Sequence, residues 1–167
     1  MLLPSDPDGM ERAGFALAAL DTPRYYKAPG RGATLADAYR RAITPVGRDL
    51  MPYRPVQLTS NGAAWGSAIA LSWVRQTRVG GHGWPDGITE DVPLAEDSEA
   101  YELEVLDGPG GSVVRTATGL MSPSFTYTTA MQSADFVGTQ TELTFRVCQV
   151  SAQVGRGFAS VERTVAT

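Results

Sequence analysis

The residues best suited to chemistry gather in one glycine-rich stretch, VGGHGWPDG, where His82, the single histidine, lies near Asp86, Glu90 and Asp91. One imidazole and several carboxylates are the donor types that zinc, manganese or calcium accept. A metal site also needs a defined ligand spacing and hydrogen-bonded support, and this stretch matches no such spacing. His82 therefore reads as a solvent-facing loop side chain available for contact. The wider group Asp86, Glu90, Asp91, Glu96, Asp97 and Glu99 invites comparison with a calcium loop or a glycosidase carboxylate pair. The EF-hand order is missing, and nothing singles out a carboxyl with the raised pKa that acid catalysis needs. A solvated acidic loop face is the simpler account.

Serine and threonine are plentiful, but His82 would have to be the base for any of them, and no serine sits in a nucleophile-elbow glycine pattern. Cys148 follows Phe145 and Val147 in an alternating run, which makes it a small strand side chain and a poor nucleophile. The glycines of GPGG and GRG lack the Lys-Ser pair and strand-to-helix setting of a phosphate loop and read as hairpin turns. No catalytic, metal or cofactor-binding residue is assigned, and a protein without enzymatic activity is expected. Aromatics outside the strand patterns are Trp65, Trp84, Tyr25 and Tyr26, and exposed aromatics on loops anchor carbohydrate or protein partners. Trp84 is the preferred ligand-facing residue, with a ring folded back on the domain edge left open as the alternative. Trp84, His82, Tyr25 and Tyr26 form the candidate contact set.

Composition narrows the partners. Fourteen Lys and Arg against eighteen Asp and Glu give a net charge of -4, which speaks against a nucleic acid backbone. The opening MLLPSDPDGMERAG has neither the basic start nor the apolar run of a signal peptide, and Phe15 to Leu20 is too short to span a bilayer, so no membrane insertion is expected. A single cysteine makes no intrachain disulfide, and 167 residues suffice to bury a core without one.

These side chains need elements to position them, and the chain changes character near its first third. Residues 1–54 read as an arm. Within it, TLADAYRRAI suits a short helix: Thr34 supplies an N-cap, Asp37 follows three residues on, Leu35, Ala38, Tyr39 and Ile43 share a face, and Pro45 stops it. FALAAL is compatible with strand or helix. Pro52 and Pro55 favour an extended entry into the domain of residues 55–167. There the period becomes two. Ile69, Leu71 and Trp73 alternate with small residues, while Tyr101, Leu103 and Val105 alternate with Glu102 and Glu104, carboxylates placed on the wet face. Val56–Ser60, Ser112–Thr118, Ser124–Thr128, the run Leu143, Phe145, Val147 and Gln149, and Ala159–Val165 bring the total to about seven strands, interrupted by a helical turn or two in residues 128–137. Such spacing predicts a mainly β, antiparallel sandwich with Trp73, Leu71, Tyr101, Leu103, Phe145 and Val147 in its core.

Leu71-Ser-Trp73, Tyr101-Glu-Leu103-Glu-Val105 and FRVCQVSAQVGRGFAS over residues 145–160 together resemble the fibronectin type III pattern. That likeness implies an indole from the second strand packed across the core and a tyrosine opening the third. Phe145 stands where that family has a tyrosine, so the corner formed by that hydroxyl is not expected, and the loop from Gln76 to Pro93 is longer than usual. MPYRPVQL, IALSWVRQTRVGGHGW, the run from Val92 to Val105 and FTYTTAMQSADF are also similar to the C-terminal region of tail-tip and baseplate hub proteins of siphophages and gene transfer agents. This second resemblance implies a virion tail component made in the bacterial cytoplasm, non-catalytic, serving as spacer and docking module. Its implied partners are other tail and baseplate proteins and further copies of itself in the assembled tail, with no cofactor. The alternative is a receptor-facing domain that binds host surface glycan or an outer-membrane protein through the 76–93 loop. A third reading, a glycan-cleaving enzyme, would need two oriented carboxylates in a cleft.

Overall fold

The computed structural model describes residues 3–6, 9–11, 16–79 and 92–167, the first two segments as backbone alone. The chain divides into two compact units, Met1–Asp49 and Leu50–Thr167. Among the described residues no helix is long and apolar enough to cross a membrane.

The first unit holds two small antiparallel ribbons. β1 (Leu3–Asp6) pairs with β2 (Gly9–Glu11), and β3 (Arg24–Lys27) pairs with β4 (Arg40–Ile43). A single 3-10 turn, Leu17–Ala19, resolves the open reading of FALAAL. The helix expected over TLADAYRRAI does not form. Its capping signal is used, since the Thr34 hydroxyl and amide both donate to Asp37 Oδ2 at 2.5 and 3.2 Å and the Asp37 amide returns to the Thr34 carbonyl, but the turn ends there. Arg40–Ile43 then pairs residue for residue with Ile43↔Arg24 through Arg40↔Lys27. Four ladder partners from a distant segment outweigh a weak local helix preference, as tertiary context commonly does.

The second unit is the sandwich. One sheet runs β5 (Val56–Ser60), β6 (Ile69–Val74) and β9 (Ser124–Tyr127); the other runs β11 (Gly155–Ala159), β10 (Glu142–Ser151), β7 (Tyr101–Leu106) and β8 (Val113–Leu120), with β12 (Arg163–Ala166) also on β10. All pairings are antiparallel. The expected final strand, Ala159–Val165, is in fact two. β11 takes the C-terminal half of β10 and β12 its N-terminal half, and the chain bends between them at Ser160–Glu162. A helix, α1 (Thr129–Asp135), carries the chain from β9 to β10, capped by the Thr128 hydroxyl accepting from the Met131 amide.

Ile69, Leu71, Trp73, Leu58 and Tyr127 from one sheet meet Tyr101, Leu103, Val105, Leu143, Phe145, Val147 and Val165 from the other in a single buried cluster. Trp73 meets Tyr101 edge-on, with centroids 5.3 Å apart, and Tyr127 meets Phe145 in the same way at 5.8 Å, the arrangement aromatic quadrupoles favour. Trp65, read from sequence as a loose aromatic, is half-buried against this cluster and lies edge-on to Phe136. Gly157 is required by close approach: a Cβ there would lie 2.5 Å from the Pro52 carbonyl oxygen, which accepts the Phe158 amide. The polyproline-like entry is thereby laid along β11. At the other end of that entry, Gln57 takes φ 52° where the β5–β6 register shifts, a bulge that makes the outer strand a poor template for further pairing.

Replacing Trp73, 4 % exposed, by alanine should cost about 3 to 5 kcal/mol by the large-to-small arithmetic of buried aromatics. Urea unfolding followed by fluorescence of the remaining tryptophans and by circular dichroism would measure it; a loss under about 1 kcal/mol would contradict a core position.

Candidate functional site

Two polar arrangements are available for function, one on the outer face of the larger sheet and one on the β3–β4 ribbon. The sandwich arrangement follows from strand register. Pairing Val105 with Phe145 and Leu103 with Val147 to build the core necessarily sets Glu104 opposite Arg146 and Glu102 opposite Cys148 on the other face. Glu104 is not the wet carboxylate the alternation suggested: it is 3 % exposed, enclosed by the long stems of its partners. Arg146 Nε donates to Glu104 Oε2, and Arg156 from β11 donates to Oε1 at 2.7 Å. Arg156 also reaches Glu102 at 3.0 Å and the Cys148 sulfur at 3.2 Å, and Arg146 comes within 3.7 Å of Glu162. Glu162 in turn accepts the Gly110 amide at 2.8 Å, tying the β11–β12 bend to the β7–β8 turn.

This network holds its charges in place through ion pairs and hydrogen bonds. Burial alone would raise the Glu104 carboxyl, but the hydrogen bonds and positive charge of Arg146 and Arg156 outweigh it and hold the group below its ordinary value. A general acid needs the opposite shift. Cys148, 1 % exposed, has its thiol pushed up by burial, which the Arg156 hydrogen bond only partly offsets, so it is a buried strand residue without the thiolate character of a nucleophile.

Three further ion pairs tie elements of the second unit together. Arg115 on β8 grips Asp135 of α1 with both forks, at 2.6 and 2.7 Å, while the Tyr127 hydroxyl of β9 donates to the same carboxylate at 2.8 Å. Tyr127 thus supplies, from another strand, a hydroxyl tether that Phe145 cannot. Burial, then the Asp135 bond, raises its phenol well above the usual range. Beyond β6, Arg75 binds Glu99 at 3.1 Å, which accepts the Tyr101 hydroxyl at 2.7 Å, and Arg78 binds Glu96 at 3.0 Å. Half of the acidic run is thus committed to structure or nearby: Glu96 and Glu99 in ion pairs, and Asp97 beside the Gln153 amide at 3.5 Å. Gln132 of α1, 1 % exposed, accepts the Gly66 amide and donates to the Ser67 and Tyr127 carbonyls, fixing the β5–β6 connection. Apart from Tyr101 with Glu99 and Gln132 with Tyr127, two and five residues apart, these partners are not visible from spacing, because 8 to 66 residues separate them.

The ribbon is the exposed arrangement. Its strands form because Tyr25 and Tyr26 favour extended backbone, and its connection turns at Gly32, φ 80°, beyond the Ala33 amide's bond to the Gly30 carbonyl. The Lys27 ammonium ties that connection down at the Leu35 carbonyl, 3.0 Å away. Alternation puts Arg24, Tyr26, Arg41 and Ile43 on one face and Tyr25, Lys27, Arg40 and Ala42 on the other. The Arg40 guanidinium lies 4.5 Å from the centre of the Tyr25 ring, a stacked cation. A cleft of about 620 Å³ opens beside β3, lined by Ala16, Ala18, Ala19, Pro23, Arg24, Tyr25 and Tyr26. Tyr25 is therefore placed with Arg40 on one face of the ribbon and Tyr26 with Arg24 and Arg41 on the other, pairings across strands that the spacing of the sequence did not indicate. Trp84 and His82, together with Asp86, Glu90 and Asp91, lie outside the described residues. Among the described residues, no group of three His, Cys, Asp or Glu side chains is placed to hold a metal ion.

No family model matches the chain, and no curated protein sequence does. Among solved structures, the chain is similar to a Fn3-like protein from Clostridium thermocellum, with 22% identity, 69% of this chain and 92% of that one covered, and a TM-score of 0.43. It is also similar to the FN5 domain of Drosophila Lar, with 15% identity, 70% and 96% covered, and a TM-score of 0.42. A third is the fibronectin type-III domain of human fibronectin type III domain containing protein 3, with 18% identity, 70% and 87% covered, and a TM-score of 0.42. The second unit is mainly β and antiparallel, and the solved structures the chain is similar to are fibronectin type III-like domains.

Because the Glu104 carboxyl sits below its ordinary value of 4.5, its contribution to stability is complete above that pH and is lost as pH falls through the folded-state value. Glu104→Gln should lower stability at neutral pH by about 2 kcal/mol and flatten the acid limb of the stability profile. Urea unfolding from pH 7 to 3 in both proteins checks this; parallel profiles would show that Glu104 is not the group being protonated.

Proposed function

We propose that the chain is a non-catalytic structural module of a phage or phage-like tail tip or baseplate, in which residues 55–167 are a rigid spacer and the arm, residues 1–54, docks it to neighbouring tail subunits. The observation that carries the docking role is the surface of the first unit. Among its described side chains only Ala19 is buried, while Leu17, Tyr25, Leu35, Tyr39, Ile43 and Val46 are at least half exposed, Tyr39 at 88 %. A segment with so little core of its own and so many bare apolar and aromatic groups has the composition of a surface that a partner covers. The spacer role draws support from the ion pairs that tie β8, α1 and β9 together and lock β7, β10 and β11. The tail setting rests on the sequence likeness of MPYRPVQL, IALSWVRQTRVGGHGW and FTYTTAMQSADF, and gives a protein made in the bacterial cytoplasm and carried in the virion.

Limited trypsin digestion of the free chain should cut first among Arg24, Lys27, Arg31, Arg40 and Arg41, leaving a resistant fragment that starts between Arg41 and Arg54. Mass spectrometry identifies the products, and an arm as resistant as the sandwich would count against docking by the arm. An antibody raised against the chain should decorate tail tips of particles from the producing bacterium in negative-stain images; label on heads or on no particle would sink the tail setting.

A further inference from the structure

Charge is divided unevenly along the chain. Residues 50–167 carry seven arginines against twelve carboxylates, a net -5, whereas residues 24–43 carry Arg24, Lys27, Arg31, Arg40 and Arg41 against Asp37 alone. Asp37 is already occupied by the Thr34 hydroxyl and amide. The ribbon presents cations on both faces, interleaved with Tyr25 and Tyr26 and flanked by exposed Leu35, Tyr39 and Ile43. Tyrosine, arginine and bare aliphatic side chains together are the composition of a protein-binding surface, and among the described residues no third strand pairs with the ribbon.

We infer that the β3–β4 ribbon of one copy docks on the acidic sandwich unit of a second copy. This rests on the docking role proposed above and names the partner. Opposite net charge steers the two surfaces together and disfavours ribbon-on-ribbon pairing, where five cations would meet five. Such a contact joins unlike surfaces, so it builds a ring if the rotation closes and a filament if it does not. Of the described carboxylates of that unit, exposed Asp97, Asp107 and Glu142 stand outside its ion pairs and are the ones open to the arginine forks, while Tyr25, already stacked under Arg40, and Ile43 supply apolar area. Because the attraction is between solvated charges at the rim, it weakens with ionic strength.

The test is sedimentation velocity of the full chain over a concentration series at about 50 and about 500 mM salt, where screening shortens the reach of charge severalfold. Wild type is compared with the double variant Arg40→Glu, Arg41→Glu, and thermal melts confirm that both are folded. Concentration-dependent association at low salt that weakens about tenfold or more both with salt and with charge reversal supports the proposal. A chain that stays monomeric throughout, or associates equally in all four conditions, overturns it. Retention of such a monomer on immobilised alginate, lost in the double variant, also overturns it and assigns the ribbon to an anionic glycan. A monomer whose arm is still trimmed by trypsin leaves arm docking standing with a different partner, whereas a resistant arm removes both readings.

Discussion

Across β7 and β10, Val105 faces Phe145, Leu103 faces Val147 and Tyr101 faces Gln149, and this register governs the rest of the sandwich. Side-chain direction repeats every two residues, so sliding either strand by one position would turn the whole apolar set outward. Correct register therefore carries the full hydrophobic gain of the core, and everything on the opposite face must accept the positions that remain. Glu104 lands against Arg146, and β11 brings Arg156 to the other oxygen of the same carboxylate. The outer network is thus a consequence of core formation that also locks it, since any slip would separate a nearly buried carboxylate from both of its counter-charges.

The two sheets are held by more than apolar contact. α1 lies where the chain passes from one sheet to the other, and two of its side chains do different work. Asp135 joins Arg115 of the larger sheet to Tyr127 of the smaller, while Gln132 uses both ends of its buried amide on the backbone of Gly66 and Ser67. Phe145 gives up a hydroxyl and gains a fully buried ring against Tyr127, whose own hydroxyl anchors the connection from β9. Stiffness in such a unit comes from charges and rings fixed at both ends.

The arm is organised on the opposite principle. Its ribbons are held by ladder hydrogen bonds, by Lys27 on Leu35 and by Thr34 on Asp37, with Ala19 as its one buried described side chain. Two-stranded ribbons are marginal in water by themselves. A segment of this kind gains most of its stability where its apolar and aromatic groups are covered, and Tyr25 and Tyr39 are exposed.

Alternation of apolar residues was enough to find β5 to β10, the helical turn before β10, and a core around Trp73, Tyr101 and Phe145, because a half-buried strand writes its period locally. It was enough, too, to place Cys148 on a strand. It misassigned Arg40–Ile43, where local helix preference competed with pairing to a strand thirteen residues upstream, and it joined β11 to β12, whose break depends on which half of β10 each one takes. The wet-face reading of Glu104 failed for the same reason: burial by Arg146 and Arg156 is supplied from 42 and 52 residues away. Period and propensity are properties of neighbours in the chain, and the sequence determined what they control. Ion pairs, sheet bridges and the meeting of Tyr25 with Arg40 depend on which distant backbones lie side by side, and that only the tertiary structure decided.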